Sequence, residues 1–344
     1  MTFAPSDGTL VYGGGADALA RNAEALSALP VDEERRAPEG WEPPRFESTI
    51  AAEAVVEGRG TYDKRARRTL RFLPSAASGW RFQRTDLSGA AAIPVTLSSV
   101  RSASRALLLG AGEGDANCLG MAEHIIAHRL GLCLSNLTVE AASYDPPLFD
   151  VGSMEIVEAL QVAGTREDTT RPLPTLTVKQ PVAILRPGGS GFLYWAPAPA
   201  GDRQMHLDVA VDFPTAIGRQ RIQFDLCPQA FVHGAHARTN CAAREVLLAK
   251  TIGWLIPKYR NFGYTRDNIL IAGQKRYHNK PGLLLPNGKS LEAVWHRACL
   301  DLVAALSLLP HGWPCGHFVS YKGGHVLDVD FLTRLQREGL LQTL

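Results

Sequence analysis

Nothing in the chain approaches the run of about eighteen apolar residues that a membrane-spanning helix needs, which argues against a transmembrane segment. Cysteine is sparse: six in 344 residues (Cys118, Cys133, Cys227, Cys241, Cys299 and Cys315), with no C-x-x-C pair. That usage excludes a cysteine zinc site and the dense disulfide framework of a small secreted domain, and it predicts a reducing compartment. The first residues show no basic region followed by an apolar core, so the expected location is cytoplasmic. A dominant charge of either sign is also missing, since 36 Lys and Arg face 34 Asp and Glu. No basic run interleaved with aromatics recurs, and a nucleic-acid partner is excluded on that ground. The one local basic cluster, Lys64-Arg65-Ala66-Arg67-Arg68, reads as an exposed strand edge or turn, or as a phosphate-binding patch. What is present is 45% hydrophobic and 20% charged residues, the composition of a globular chain long enough for two domains of modest size.

The pattern along the chain divides it into an N-terminal arm (1–47), a first α/β domain (48–170) and a second (171–344). The arm is rich in Gly, Ala, Pro and charge and allows one short helix over 18–29. Strands are expected at 49–56, with a turn at 57–60, and at 69–73, 80–84, 93–100 and 106–109, followed by a helix over 119–130. A strand at 134–139 and a helix at 153–162 lead to the polar, proline-bearing stretch Arg166–Pro174, taken as the boundary. The second half repeats strands followed by helices, which predicts an α+β fold of two similar domains, each a sheet with helices, the helices packed between the two sheets.

Two segments carry chemistry. In Met121-Ala122-Glu123-His124-Ile125-Ile126-Ala127-His128 an acid precedes a potential metal ligand, and a second imidazole follows one helical turn on. Residues four apart share a helix face, which lets two imidazoles hold one ion, although such a pair can equally be a surface or core-edge feature. His325 follows Lys322-Gly323-Gly324, where glycine lets backbone approach a ligand and an imidazole can donate a proton to a leaving amine. A third group, His296, Arg297 and Asp301, lies in the expected helix over 291–309. Residues five apart diverge on a regular α-helix, and a π-bulge would bring His296 and Asp301 together.

Six short segments occur in one order: Phe82-Gln83-Arg84-Thr85-Asp86-Leu87; Ala122–Ala127 with Gly131-Leu132; Leu148–Ser153; Ala237-Arg238-Thr239; Asp267–Ile271; and Tyr321–His325. On these the chain resembles the UDP-3-O-acyl-N-acetylglucosamine deacetylases, zinc enzymes of lipid A biosynthesis, over about residues 48–335. The resemblance implies a zinc site between the two domains, with Glu123 as general base, His124 as first metal ligand, Thr239 at the oxyanion and His325 as general acid. It implies His296 and Asp301 as the other ligands, with His128 a replacement, and Lys322, Arg297 and Asn268 at the substrate. This chain departs from the family at several points: one residue inserted between His296 and Asp301, Ala305 where a further acid is usual, Gly60-Thr61-Tyr62-Asp63 at the glycine-rich turn, and Asn240 after Thr239. The stretch between Arg238 and Asp267 is longer than usual, and its Val246, Leu247, Leu248, Ile252, Trp254, Leu255 and Ile256 are apolar enough to line an acyl-chain passage or to fill it.

The expectation is therefore a zinc-dependent amidohydrolase that removes acetate from an amino sugar, first a UDP-linked 3-O-acylated N-acetylglucosamine, then a related sugar. The alternative is a non-catalytic relative that binds a nucleotide sugar. The sequence fixes no oligomeric state.

Overall fold

The structure, a computed structural model, describes residues 3–114, 116–243 and 263–344. Two sheets frame the molecule. The first has six strands in the order Pro147–Leu148, Ala54–Gly60, Arg67–Pro74, Leu137–Ala141, Trp80–Arg84, Ile93–Pro94. Its neighbours are antiparallel except where Leu137–Ala141 runs parallel to Trp80–Arg84. Alternation decides its faces: Leu70, Phe72, Trp80, Phe82, Leu137 and Val139 are buried on one side, while Val55 and Arg71 face outward.

The second sheet has seven strands, Leu10–Tyr12, Val182–Leu185, Phe192–Ala196, Gly316–Tyr321, Met205–Phe213, Gly218–Asp225 and Glu33–Arg35. Its middle strands are apolar at nearly every position because both faces are covered. Ile184, Leu193, Trp195, Leu207, Val209 and Phe318 join one continuous core with the first sheet and the helices. Ala183, Phe192, Tyr194, Val319 and Tyr321 point the other way, into a separate cluster with Phe3, Leu19, Ala23 and Leu26. The helices Glu123–Gly131, Met154–Ala163, Pro228–Ala235 and 292–306 lie in the main core between the sheets, which is the α+β arrangement expected.

Several local expectations are corrected. The first residues are not an irregular arm with one helix: besides the Ala16–Ser27 helix they supply both edge strands of the second sheet. The expected strand 49–56 is two strands, Phe46–Ile50 and Ala54–Gly60, and 57–60 is strand, the turn falling after it. The polar stretch taken as the boundary is strand, Thr165–Pro172, paired antiparallel with Phe46–Ile50. In the basic cluster Arg67 pairs with Glu57 and Arg68 with Asp145, at a turn and strand start.

The helix 292–306 is not uniform. An α-helical turn, Glu292–Trp295, passes into a π-helix, His296–Leu302, and back into α-helix at Val303–Leu306. Its i→i+5 hydrogen bonds accommodate one residue more per turn without unwinding the helix.

Candidate active site

Glu123 opens the Glu123–Gly131 helix, and Met121 just before it sits at φ 49°, a strained conformation for a residue with a side chain. The strain turns the chain sharply, and Glu123 enters the interior with only 2% of its surface exposed. The Leu107 backbone N–H donates to its Oε2 at 2.8 Å, leaving Oε1 toward His325 Nε2 at 3.9 Å. Burial raises its carboxyl to about 7, so it exchanges a proton near neutrality.

His124 and His296 converge from two helices. Their rings lie 5.3 Å apart, and their Nε2 atoms are 3.2 and 3.0 Å from the Thr239 hydroxyl. Burial lowers both imidazoles, His124 to about 3, so both stay neutral with lone pairs available. Asp301 Oδ1 lies 3.5 Å from His296 Nδ1 and 3.4 Å from His325 Nε2, the π-turn having placed residues five apart on one side. Burial opposes its ionisation, yet His325 and His296 outweigh that and hold the carboxyl below its ordinary range. His325 begins the His325–Arg337 helix; burial pulls its imidazole down, but Asp301 and Glu123 prevail and raise it. Lys322, three residues earlier, is at φ 51°, and a Cβ at Gly323 would meet Arg297 Nη2 at 2.5 Å and the Ser320 hydroxyl at 2.6 Å, so a side chain there would have to displace them.

Thr239 starts a short strand, Thr239–Ala242, parallel to Ile269–Ala272. Its predecessor Arg238, which has no role in the sequence reading, ties this strand to the histidine-bearing helix: its guanidinium donates to Glu292 at 2.6 and 3.1 Å and to the carbonyls of Asp267 and Lys280.

The other expected residues are placed differently. His128 is fully buried, its Nδ1 3.0 Å from the Ile125 carbonyl and its ring edge-on to Phe231 at 5.2 Å. Arg297 is buried with Nη2 donating to Asp328 at 2.6 Å and to Ser320 at 3.1 Å. Asn268 closes its own loop, donating to the Gly263 carbonyl and accepting from Thr265 N–H. Lys322 pairs with Asp212 at 2.8 Å. The acyl-passage residues Val246 to Ile256 lie outside the described residues.

Residues missed in the sequence lie beside His325. A cavity of about 360 Å³ opens beside His325, lined by Arg105, Arg186, Pro187, Gly324, Val326 and Asp330. Arg186 follows the Val182–Leu185 strand and donates to the Gly323 carbonyl at 3.2 Å; a cation at a strand end before Pro-Gly-Gly was its only signal.

A divalent cation suits this donor chemistry in part. Two neutral imidazole nitrogens share one hydroxyl, and the His124 Nδ1 and Asp301 Oδ1 atoms are buried without a hydrogen-bond partner among the described residues. Asp301 stands on the Nδ1 side of His296, and among the described residues no three His, Cys, Asp or Glu side chains already converge on one point.

The sequence matches the family model described as UDP-3-O-acyl N-acetylglycosamine deacetylase over residues 47–337. Proteins called UDP-3-O-acyl-N-acetylglucosamine deacetylase are among its relatives. That of Nostoc sp. is 29% identical over 268 residues, 77% of this chain and 90% of the relative. That of Myxococcus xanthus is 29% identical over 289 residues, 81% and 83% of the two chains, and that of Vibrio vulnificus is 28% identical over 266, 77% and 81%. With the match running through both sheets and the helices between them, the chain belongs to the UDP-3-O-acyl N-acetylglycosamine deacetylase family.

Proposed function

We propose that the protein is a zinc-dependent deacetylase that hydrolyses the acetamide of a UDP-linked, 3-O-acylated glucosamine in lipid A biosynthesis, working in the cytoplasm. The observation that carries this reading is a buried cluster in which two neutral imidazoles share the Thr239 hydroxyl, Asp301 stands between His296 and His325, and His325 faces Glu123, whose carboxyl is raised to about 7.

His124, His296 and Asp301 would hold the zinc, which when bound polarises the amide carbonyl and lowers the pKa of water toward about 7. Glu123 Oε1 takes a proton from the attacking water, its Oε2 being occupied by Leu107 N–H. The Thr239 hydroxyl donates to the oxygen on which charge develops. His325 gives its proton to the departing nitrogen, so that acetate and a free amine leave. Asp301 and Glu123 favour the protonated form of His325 that this step uses. Arg105 and Arg186, in the cavity beside His325, suit a diphosphate, with Lys322 on the adjoining loop. Arg297 and Asn268 serve the substrate indirectly, Arg297 by tying its helix to the Asp328 and Ser320 side chains and Asn268 by closing its loop on the Gly263 carbonyl.

Acetate release from UDP-3-O-acyl-N-acetylglucosamine and from its unacylated counterpart, measured with and without zinc, tests the reading. Zinc-dependent release from either sugar supports the deacetylase, and the ratio of the two rates reports the substrate. Tight binding of the sugars with no acetate released at full zinc occupancy would leave a binding protein instead.

A further inference from the structure

The family match begins at residue 47, yet an earlier segment reaches the histidine-bearing helix. The strand Glu33–Arg35 runs parallel to Gly218–Asp225, with Glu33 opposite Ile222 and Arg35 opposite Phe224. Alternation sends Glu33 and Arg35 to the same side, where both meet Trp295. The Trp295 indole is fully buried, and its Nε1 donates to Glu33 Oε2 at 2.9 Å. Arg35 binds the other oxygen of the same carboxylate at 2.7 Å, and its guanidinium lies 5.9 Å from the indole centroid. Phe224 and His233 close the remaining sides, each with its ring centroid 4.9 Å away.

Trp295 ends the α-helical turn and His296 starts the π-helix. Wide turns of this kind are rare and persist where the surroundings over-determine them. Here both neighbours of His296 are held from outside the helix, Trp295 by Glu33 and Arg297 by Asp328 and Ser320. With the side chains on either side fixed, the backbone at His296 has little freedom left.

We propose that Glu33, outside the family match, is a positioning residue for the active site: through the Trp295 indole it fixes the start of the π-turn and hence the direction of His296. Its consequence for catalysis rests on the deacetylase reading, whereas its consequence for the helix does not.

The test compares Glu33→Ala with Glu33→Gln in the full chain. Glutamine keeps a carbonyl oxygen for the indole N–H; alanine keeps none. Amide hydrogen exchange is followed peptide by peptide, zinc is titrated into the stripped protein, and kcat and KM are measured separately. Glu33→Ala should speed exchange in 292–306 about tenfold with little change elsewhere. It should weaken zinc binding and lower kcat by about tenfold each with KM nearly unchanged, and Glu33→Gln should restore most of each. Unchanged exchange in 292–306, exchange accelerated uniformly with a fall in Tm, or Gln behaving like Ala would overturn the proposal. If exchange in 292–306 responds as expected but wild-type protein releases no acetate, the functional reading fails and the clamp stands.

Discussion

His296 and Asp301 are five residues apart and face each other, Nδ1 to Oδ1 at 3.5 Å, because the helix between them is wound as a π-helix. On α-helical turns the same two residues would diverge by about 140°. The wide turns are confined to His296–Leu302, and the helix continues as α-helix from Val303.

That arrangement separates the candidate ligands. His296→Ala or Asp301→Ala should reduce bound zinc well below one ion per chain, as read by metal analysis after dialysis. His128→Ala should leave the zinc in place and act on stability instead, costing about 1 to 3 kcal/mol for the lost packing on Phe231. Zinc lost from the His128 variant with the fold intact would move the ligand set onto the first helix.

Glu123 makes stability depend on pH in a defined direction. Its carboxyl is raised by burial from 4.5 to about 7, so the fold favours the protonated form. This contribution is fully present below about 4.5 and is lost as pH rises through about 7, a difference on the order of 3 kcal/mol. Glutamine mimics the protonated acid at every pH. In the metal-free protein Glu123→Gln should therefore match wild type in Tm near pH 4.5 and exceed it by several degrees at pH 8; a constant difference would show that the carboxyl is not raised.

Arg238, partly buried, and Glu292, only 1% exposed, form an ion pair that joins the threonine strand to the histidine-bearing helix. Removing one partner strands the other: Arg238→Ala should cost about 3 to 5 kcal/mol in denaturant unfolding. Arg238→Lys should recover part of it, since a lysine keeps the charge but not the forked contact.

Arg186 lies on the wall of the cavity beside His325. Arg186→Ala should raise KM for a UDP-linked substrate about tenfold while kcat stays within twofold, the signature of lost binding away from the reacting bond. An equal fall in kcat would place the residue at the chemistry itself.

Several candidate residues sit at element starts with local marks in the sequence, while the roles expected of them came from the family resemblance. Glu123 and His124 open a helix with clear apolar periodicity, and His325 follows a Gly-Gly pair. What escaped is held by long-range pairing. Glu33-Glu34-Arg35 has no strand-like alternation of apolar residues; it is a strand because its backbone completes a sheet edge and its two inward side chains close on Trp295. Thr165–Pro172 is exposed almost throughout, so no apolar face marks it, and only its ladder with Phe46–Ile50 makes it a strand. The partner of Arg297 was hidden for the same reason: Asp328 belongs to another helix and reaches it only in the folded core.

The central claim is that Glu123 is the base of an amide hydrolysis at a metal site, and acetate release by zinc-loaded wild-type and Glu123→Gln proteins under single-turnover conditions tests it most directly. The account predicts release by wild type and a rate about 10² to 10⁴ lower for the variant, with equal zinc content in both. Equal rates in the two proteins, or no release by a wild-type protein carrying its zinc, would contradict it.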